Sequence, residues 1–371
     1  MLQAFRKTST LIRYTTPAEY AANIRRNLAK YERPVKIATI PMQYTPGNSP
    51  MKLIRKAALS LGLASLALIA QAQEFPTRTV RIIVPYAPGA TTDALARMLA
   101  LELSRKWPHP VIVENVPGAS GGIGAQMVNK AAPDGHTLLV TPGGVLTTNP
   151  YLFPKLVYDP DALAPVGVIA RTPLVILAST KSGIASLQDL LTVGKQKGRN
   201  VTYASQGIGN MAHLAPELLK SLTGIEMTHV PYKGSAPAIQ DLLAGHVDVM
   251  VCTDLATALP HLREGRMKAL AFCDDKRNSL LPAVPTVTET IPGFLASGWF
   301  SISAPANTPR ALIDKISVAA AEVLKTSDAM ARITALNVEA VGSTPAEMAH
   351  TIQSERQRWS KVIRDNGIKA E

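Results

Sequence analysis

Short runs of branched apolar residues alternate with helical segments along most of this chain, and this alternation constrains the fold more than any other feature. Val80–Val84 predicts a strand. The segment 93–106 behind it predicts a helix with one apolar face, formed by Leu95, Met98, Leu99 and Leu103. A strand over 111–113, a helix over 123–132 and a strand over 138–140 continue the pattern. A βαβαβ series of this kind predicts a parallel sheet with helices on both faces.

A second series follows and predicts a second lobe. Apolar extended stretches over 166–178 and 299–304 lie between the series and suit two crossings between lobes. We therefore expect a two-lobed α/β fold with a mainly parallel sheet in each lobe. The first lobe takes residues 73–172 plus 296–371, and the second takes 173–295. The strands of the second series are Val201–Ala204, Met227–Val230, Val247–Val251 and Ala269–Phe272.

Glycine-rich loops directly follow four of the predicted strands, and each leads into a helix. Glycine lets backbone N–H groups approach a ligand closely, and a helix N-terminus carries partial positive charge, so such loops favour anions. Open α/β sheets bind ligands at this edge. Any one loop is equally well an ordinary tight turn, but two such loops in each lobe favour a shared anion site. The loops are Pro85–Asp93, Asn115–Gly122, Ser205–His213 and Tyr232–Pro237.

The N-terminal region predicts export. Met51–Lys56 is basic, Ala57–Ala70 is a run of 14 apolar or small residues, and Ala70-Gln71-Ala72 has the small-x-small form of a cleavage site. The run is shorter than the about 20 residues of a membrane span. We interpret residues 51–72 as a signal peptide, with a periplasmic mature protein from Gln73. Residues 1–50 are then an artefact of the assigned start, with translation from Met51, or an Arg-rich transit leader.

The positive charge belongs to that N-terminal region. The chain of 371 residues has a net charge of +12, but residues 1–72 hold 11 Lys/Arg and 2 Asp/Glu. The remaining 28 basic and 25 acidic residues leave a net charge of +3. A surface that binds phosphates would need a larger and clustered excess, so we expect no nucleic-acid partner.

Two cysteines, Cys252 and Cys273, leave one question open. The chain has no C-x-x-C pair, which excludes zinc-ribbon and thioredoxin motifs. In an exported protein the two cysteines could pair, but both lie at the ends of apolar runs, where buried thiols are common.

Motifs in a fixed order along residues 74–371 resemble one family, the extracytoplasmic receptors of tripartite tricarboxylate transporters, also known as the Bug solute-binding proteins. Singly each motif is weak, but the series is specific. It comprises Pro76-Thr77-Arg78, Pro85–Gly89 with Asp93, Val113–Asn115, Pro117–Ala119, Ala132–Gly135, Asn149–Tyr151, Val230–Gly234, Pro260-His261, Pro282–Thr286, Gly298–Phe300 and Ala304-Pro305.

The resemblance implies a type II periplasmic-binding-protein fold and a binding function without catalysis, cofactor or metal. First-lobe loops would hold a ligand carboxylate, partly through bridging waters, while the second lobe reads the rest. Integral-membrane permease subunits are the implied partners of a monomeric receptor. The implied ligand-binding residues are Tyr86, Gly89, Ala90, Asp93, Ser120, Gly121, Gly207, Asn210, His213, Gly234, Ser235 and Asp254.

Several of these positions have a second interpretation. Asp93 also suits the dipole of a helix first turn, with Thr91 or Thr92 as the cap. His213 could pack on the loop instead of touching ligand, and Asp254 could cap a helix. The chain also departs from the family at Ala90, where a second glycine is usual. Pro216 falls inside a predicted helix over 212–222, which argues for a later helix start.

Two alternative functions deserve comparison. Gly118–Gly124 and the pair Tyr151 and Lys155 imitate a short-chain dehydrogenase, but Pro154 breaks the helix that the pair requires. A periplasmic ligand sensor with the same fold is the other alternative, and the sequence does not separate it from a transport receptor. The ligand also stays open among dicarboxylates, acidic amino acids, aromatic acids and nicotinate-like acids.

Overall fold

The strands lie in two separate sheets. The computed structural model describes residues 75–253 and 255–370, so the predicted signal peptide at 51–72, the segment 1–50 and Asp254 lie outside the described residues. In chain order the strands are β1 (Val80–Val84), β2 (Val111–Asn115), β3 (Thr137–Pro142), β4 (Leu163–Thr172), β5 (Val175–Ser179), β6 (Val201–Ser205), β7 (Met227–Pro231), β8 (Val249–Cys252), β9 (Met267–Phe272), β10 (Gly298–Pro305) and β11 (Glu339–Ala340).

Helices flank both sheets and connect the parallel strands. In the described part of the chain, no helix is long and apolar enough to cross a membrane. The helices are α1 (Thr91–Lys106), α2 (Gly122–Asn129), α3 (Gly144–Thr147), α4 (Asn149–Leu152), α5 (Leu187–Val193), α6 (Met211–Thr223), α7 (Ser235–Ala244), α8 (Leu255–Arg263), α9 (Arg310–Val323), α10 (Ser327–Ala335) and α11 (Pro345–Asp365).

The first sheet has the strand order β11-β4-β10-β3-β1-β2. Strand β1 pairs in parallel with β2 and β3, which confirms the predicted βαβαβ unit. Strand β10 returns from the second lobe and inserts antiparallel between β3 and β4. The sheet is therefore mixed: β1 to β4 run in one direction, and β10 and β11 run in the other.

The second sheet has the order β7-β6-β8-β5-β9 and repeats this arrangement. Strand β6 pairs in parallel with β7 and β8, while β5 is antiparallel to β8 and β9. The two-lobed α/β fold is thus confirmed, and each sheet holds a reversed strand where the chain crosses between lobes. The parallel strands place their carboxyl ends, and the glycine loops that follow, at one edge of each sheet.

Each sheet carries an apolar core on both faces. Ile82, Leu99 and Ile302 lie in the core on one face of the first sheet, and Ile83 and Leu139 lie in the core on the other. Tyr203 and Phe272 occupy the corresponding cores on either side of the second sheet. Helices and strands that bury apolar surface so completely give the loops at the sheet edges a rigid support.

The connections between the lobes are tied together by backbone hydrogen bonds. Cys273 N–H donates to the Leu174 carbonyl at 2.8 Å, and Ala296 N–H donates to the Cys273 carbonyl at 2.9 Å. Helix α11 is also shared, because Met348 packs against the first sheet and Trp359 lies in the core of the second. The lobe boundaries inferred from the sequence stay a prediction.

Helix starts differ in detail from the sequence predictions. Neither Thr91 nor Thr92 caps α1, since the N-cap is Ala90 and no side chain caps the first turn. The later start expected because of Pro216 is wrong: α6 begins at Met211 and carries this proline in its interior. Helix α11 begins with a capping box formed by Thr344 and Glu347.

Cys252 and Cys273 are both buried and form no disulfide. Burial raises the pKa of the Cys273 thiol, since the thiolate would lie in an apolar core. Their positions at the ends of apolar strands explain why these thiols serve as packing groups.

Candidate functional site

A cavity of about 480 Å³ lies where loops of both lobes and the crossing strand β10 meet. Its size falls within the range of small-molecule sites. Of the predicted site residues, Tyr86, Ser120 and Asn210 line it. The other lining residues are Thr91, Pro142, Gly144, Val145, Thr148, Asn149, Leu152, Phe153, Thr172, Ile208, Gly209, Met211, Thr253, Leu255, Gly298, Trp299, Phe300, Leu336, Asn337, Val338 and Ala370.

The loop after β1 presents a phenol and an open helix end to this cavity. Burial raises the pKa of Tyr86 to about 12, so its hydroxyl stays protonated at neutral pH and can donate. Helix α1 begins at Thr91, and the first-turn N–H groups have neither an intrahelical acceptor nor a capping side chain. The positive end of the helix dipole therefore lies open at the cavity wall.

Asp93 supports this loop from behind and does not line the cavity. Its carboxylate accepts hydrogen bonds from Gly89 N–H at 3.0 Å, Arg97 Nε at 3.0 Å and Asn115 Nδ2 at 2.9 Å. Burial acts to raise the pKa of Asp93, but these hydrogen bonds outweigh it and lower the pKa. The acid is thus ionised and fully engaged by protein donors, which leaves it a loop-shaping role.

The loop after β2 adopts a left-handed turn. Four consecutive residues from Gly118 to Gly121 have positive φ, at 126°, 47°, 50° and 92°. Non-glycine residues such as Ala119 and Ser120 are strained in this region by about 1–3 kcal/mol each. The Ser120 carbonyl accepts hydrogen bonds from Asn149 Nδ2 at 3.0 Å and Tyr86 Oη at 3.5 Å. Side chains thus hold the carbonyl oxygen, which fixes a turn that the backbone alone would not favour.

Gly121 makes this turn possible. A Cβ at this position would lie 3.0 Å from Val145 Cγ2 and 3.1 Å from Tyr86 Oη, and its φ of +92° already disfavours other residues. The glycine predicted as a ligand contact therefore acts at the contact between the turn and Tyr86.

In the second lobe, the loop before α6 is braced from within. Gly207 and Gly209 have positive φ, and the Asn210 side chain caps α6 by accepting from His213 N–H at 3.1 Å. His213 is buried, and its Nδ1 accepts from Gly209 N–H at 3.0 Å. Because Nδ1 must be unprotonated for this contact, His213 is neutral and supports the loop from the protein side.

His213 stacks on His229, with ring centroids 3.8 Å apart and planes inclined by 13°. Burial, assisted by Lys220, lowers the pKa of His213 to about 4. Burial, together with His213, also lowers the pKa of His229 to about 4. Two neutral imidazoles therefore form the support beneath the second-lobe loop. His213 does not line the cavity, in agreement with its packing interpretation.

The remaining predicted residues fall into three groups. Gly89, Ala90 and Gly207 belong to the loops that shape the cavity but are not among its lining residues. Gly234 and Ser235, at the start of α7, do not line it either. Asp254 is outside the described residues, although Thr253 and Leu255 on either side of it both line the cavity.

Sequence reasoning missed several lining residues. Asn149 follows β3 at the same sheet edge as the predicted loops, so its position after a parallel strand was a usable signal. Asn337, with a φ of 53°, comes from the distant α10–β11 connection and carried no such signal. Trp299 packs on Gly143 and also lines the cavity.

The dehydrogenase alternative does not fit this geometry. Helix α4 ends at Leu152, so Tyr151 and Lys155 do not share a helix. Over residues 75–253 and 255–370, no group of three or more His, Cys, Asp or Glu is placed to hold a metal ion.

Comparison with known proteins gives a consistent result. The sequence profile of the tripartite tricarboxylate transporter family receptor, TctC, matches residues 95–368. BugT of Bordetella pertussis strain Tohama I is 34% identical over 321 residues, covering 86% of this chain and 98% of BugT. The UPF0065 protein in the tcbD-tcbE intergenic region of Pseudomonas sp. strain P51 is 32% identical, covering 83% of this chain and 92% of that protein.

Solved structures agree with this comparison. The R. palustris protein Rpa4515 with adipate is 34% identical and superposes with a TM-score of 0.66, covering 80% of this chain and 99% of that one. MatC from Rhodopseudomonas palustris with bound malate is 35% identical with a TM-score of 0.62, covering 78% and 100%. These similarities confirm the resemblance inferred from the sequence motifs.

Proposed function

This chain belongs to the tripartite tricarboxylate transporter receptor family, whose members are periplasmic solute-binding receptors and not enzymes. We propose that it captures a small carboxylate in the interlobe cavity and delivers it to integral-membrane permease subunits. The open N-terminus of α1 at the cavity wall carries this proposal. Backbone N–H groups at a helix N-terminus favour an anion without a charged side chain.

Three polar parts of the first lobe line the cavity in support of this assignment, and one of them, the Tyr86 hydroxyl, donates at 3.5 Å to the Ser120 carbonyl and can accept a hydrogen bond from a ligand. The Tyr86 hydroxyl, the first turn of α1 and the left-handed turn at Ser120 come from two loops that Asp93 and Asn115 tie together. The second lobe contributes Asn210, whose Oδ1 is used as a helix cap while its amide nitrogen remains available to donate. An acid group bound by the first lobe and a remainder contacted by the second would hold the lobes closed.

Ligand binding is tested by thermal denaturation of the purified protein, expressed from the full chain, against a panel of small carboxylates. At least one acid should stabilise it by about 2.7 kcal/mol at a concentration 100-fold above its dissociation constant. A panel without any shift, together with a shift caused by NADH, would contradict the assignment.

Export and delivery need separate tests. We expect the mature protein in the periplasmic fraction to begin at Gln73, which N-terminal sequencing would establish. Deletion of the gene should abolish uptake of the stabilising acid. Unchanged uptake with loss of a transcriptional response to that acid would favour the sensor function instead.

A further inference from the structure

Three threonines that line the cavity already donate their hydroxyl protons to the protein. Thr148 Oγ1 donates to the Gly144 carbonyl at 3.2 Å, and Thr172 Oγ1 donates to the Thr253 carbonyl at 3.1 Å. Thr253 Oγ1 donates to Gln206 Oε1 at 2.7 Å. Each hydroxyl has a single proton, so these three groups have none left for a ligand.

Charge is missing from the same wall. Of the lining residues that the structure describes, none is Asp, Glu, Lys, Arg or His. An ammonium group on the ligand would therefore lose its hydration without gaining a charged partner among these described residues. The donors of the first lobe, described above, serve one end of a ligand and not its middle.

Apolar side chains make up a large part of the remaining wall. The first half of the chain and the second lobe both contribute, through Val145, Leu152, Phe153, Met211 and Leu255. Ile208 adds the most informative feature, since it lines the cavity between Gly207 and Gly209 while half of its surface remains exposed. An apolar side chain held in this position gains free energy only when a partner covers it.

We propose that the cavity selects a carboxylate whose carbon body carries neither hydroxyl nor amino groups, such as an unsubstituted aliphatic or aromatic acid. This inference rests on the proposed function, because the acid group must first be held by the first lobe. Ile208 is the residue that contacts the carbon body of the ligand and favours an unsubstituted one. Of the acids in the two similar structures, adipate has no hydroxyl or amino group on its carbon chain, whereas malate carries a hydroxyl group.

Pairs of acids with the same carbon skeleton test the selection by isothermal titration of the protein expressed from the full chain. Adipate is compared with galactarate, hexanoate with gluconate, and succinate with malate and aspartate. In each set that binds, the unsubstituted acid should bind at least about tenfold more tightly, as expected when one polar group is desolvated without a partner. Equal or tighter binding of malate, galactarate, gluconate or aspartate would overturn the inference and leave carboxylate binding intact. No binding of any of these acids would contradict the proposed function as well.

Substitution of Ile208 tests whether this side chain contacts the ligand, as distinct from the general effect of replacing an exposed apolar residue. Ile208→Asn should weaken binding of the best unsubstituted acid about fivefold and narrow the gap within its pair. Ile112→Asn is the matched control, because Ile112 is exposed to a similar degree, 47% against 50%, and does not line the cavity. Equal effects of the two substitutions, or no effect of Ile208→Asn, would contradict the assignment of Ile208.

Discussion

The glycine loops of the two lobes are similar in sequence but differ in how the helix that follows each loop is capped. In the first lobe, α1 starts without a capping side chain, and a left-handed turn from Gly118 to Gly121 stands beside it. In the second lobe, Asn210 caps α6 and neutral His213 holds Gly209. The loop before α1 thus leaves the first-turn N–H groups of the helix open, whereas the loop before α6 has its own caps and places Ile208 at the cavity. In the proposed function, these similar loops have different roles: the first-lobe loop binds the acid group, and the second-lobe loop contacts the body of the ligand.

The largest expected effect tests the first-lobe turn. Gly121→Ala combines an unfavourable φ of +92° with contacts of 3.0 and 3.1 Å to Val145 and Tyr86. We expect a loss of about 2–3 kcal/mol in the free energy of unfolding and at least about tenfold weaker carboxylate binding. Gly183→Ala is the control, since its φ is +77° but nothing lies within 4 Å of the new Cβ. An equal loss in both variants would mean that the crowding against Tyr86 is unimportant.

The second-lobe support should respond to pH. The pKa of His213 is near 6.5 in the unfolded chain and about 4 in the folded protein, so protons favour unfolding. The contribution of His213 to the free energy of unfolding should therefore be largest above pH 6.5 and should decrease as the pH falls towards 4. Urea denaturation at pH 7.5 and 4.5 measures this loss.

In His213→Gln, which retains an acceptor for Gly209 N–H, the pH-dependent loss should shrink by about 2 kcal/mol. His350→Gln is the matched control, because His350 is an exposed residue of α11 and takes no part in the His213–His229 stack. An identical pH dependence in wild type and His213→Gln would contradict the inference that a neutral His213 stabilises the second-lobe loop.

A smaller effect is expected where Asp93 shapes the first-lobe loop. Asp93→Asn weakens three hydrogen bonds to a buried carboxylate, so we expect about 1–2 kcal/mol lower stability and weaker ligand binding. Asp189→Asn is a close match, because Asp189 also accepts from the N–H four residues before it, at 3.1 Å from Ala185, on a helix away from the cavity. Asp189→Asn should leave ligand affinity unchanged; a comparable loss of affinity would remove the special role of Asp93.

The smallest effect belongs to Ala90, where the family usually has glycine. Its φ of −77° and ψ of 163° are ordinary extended backbone, so the position does not require glycine. Ala90→Gly should change affinity less than about twofold and stability by at most about 1 kcal/mol. A large gain in affinity would show that the alanine restricts the acid-binding loop, and calorimetry resolves the two outcomes.

The strands, the crossings between lobes and the loops that follow parallel strands could be predicted from the sequence, because the spacing of apolar residues and the residue types in turns are local features. It was insufficient for the direction in which a side chain points. Asp93 turns away from the cavity because Asn115, from the next strand, and Gly89 converge on it. The contributions of Asn337 and Trp299 depend on how distant segments pack, and no local pattern encodes that packing.

Backbone amide chemical shifts of the ¹⁵N-labelled protein on addition of adipate, or of whichever acid stabilises it most, test the central claim most directly. The N–H resonances of Thr91 and Ser120 in the first lobe should move downfield, as expected for new hydrogen bonds to a carboxylate, while that of Gly209 keeps its existing bond to His213 and moves little. The reverse pattern, with Gly209 shifted and both first-lobe amides unmoved, would contradict the division between the lobes.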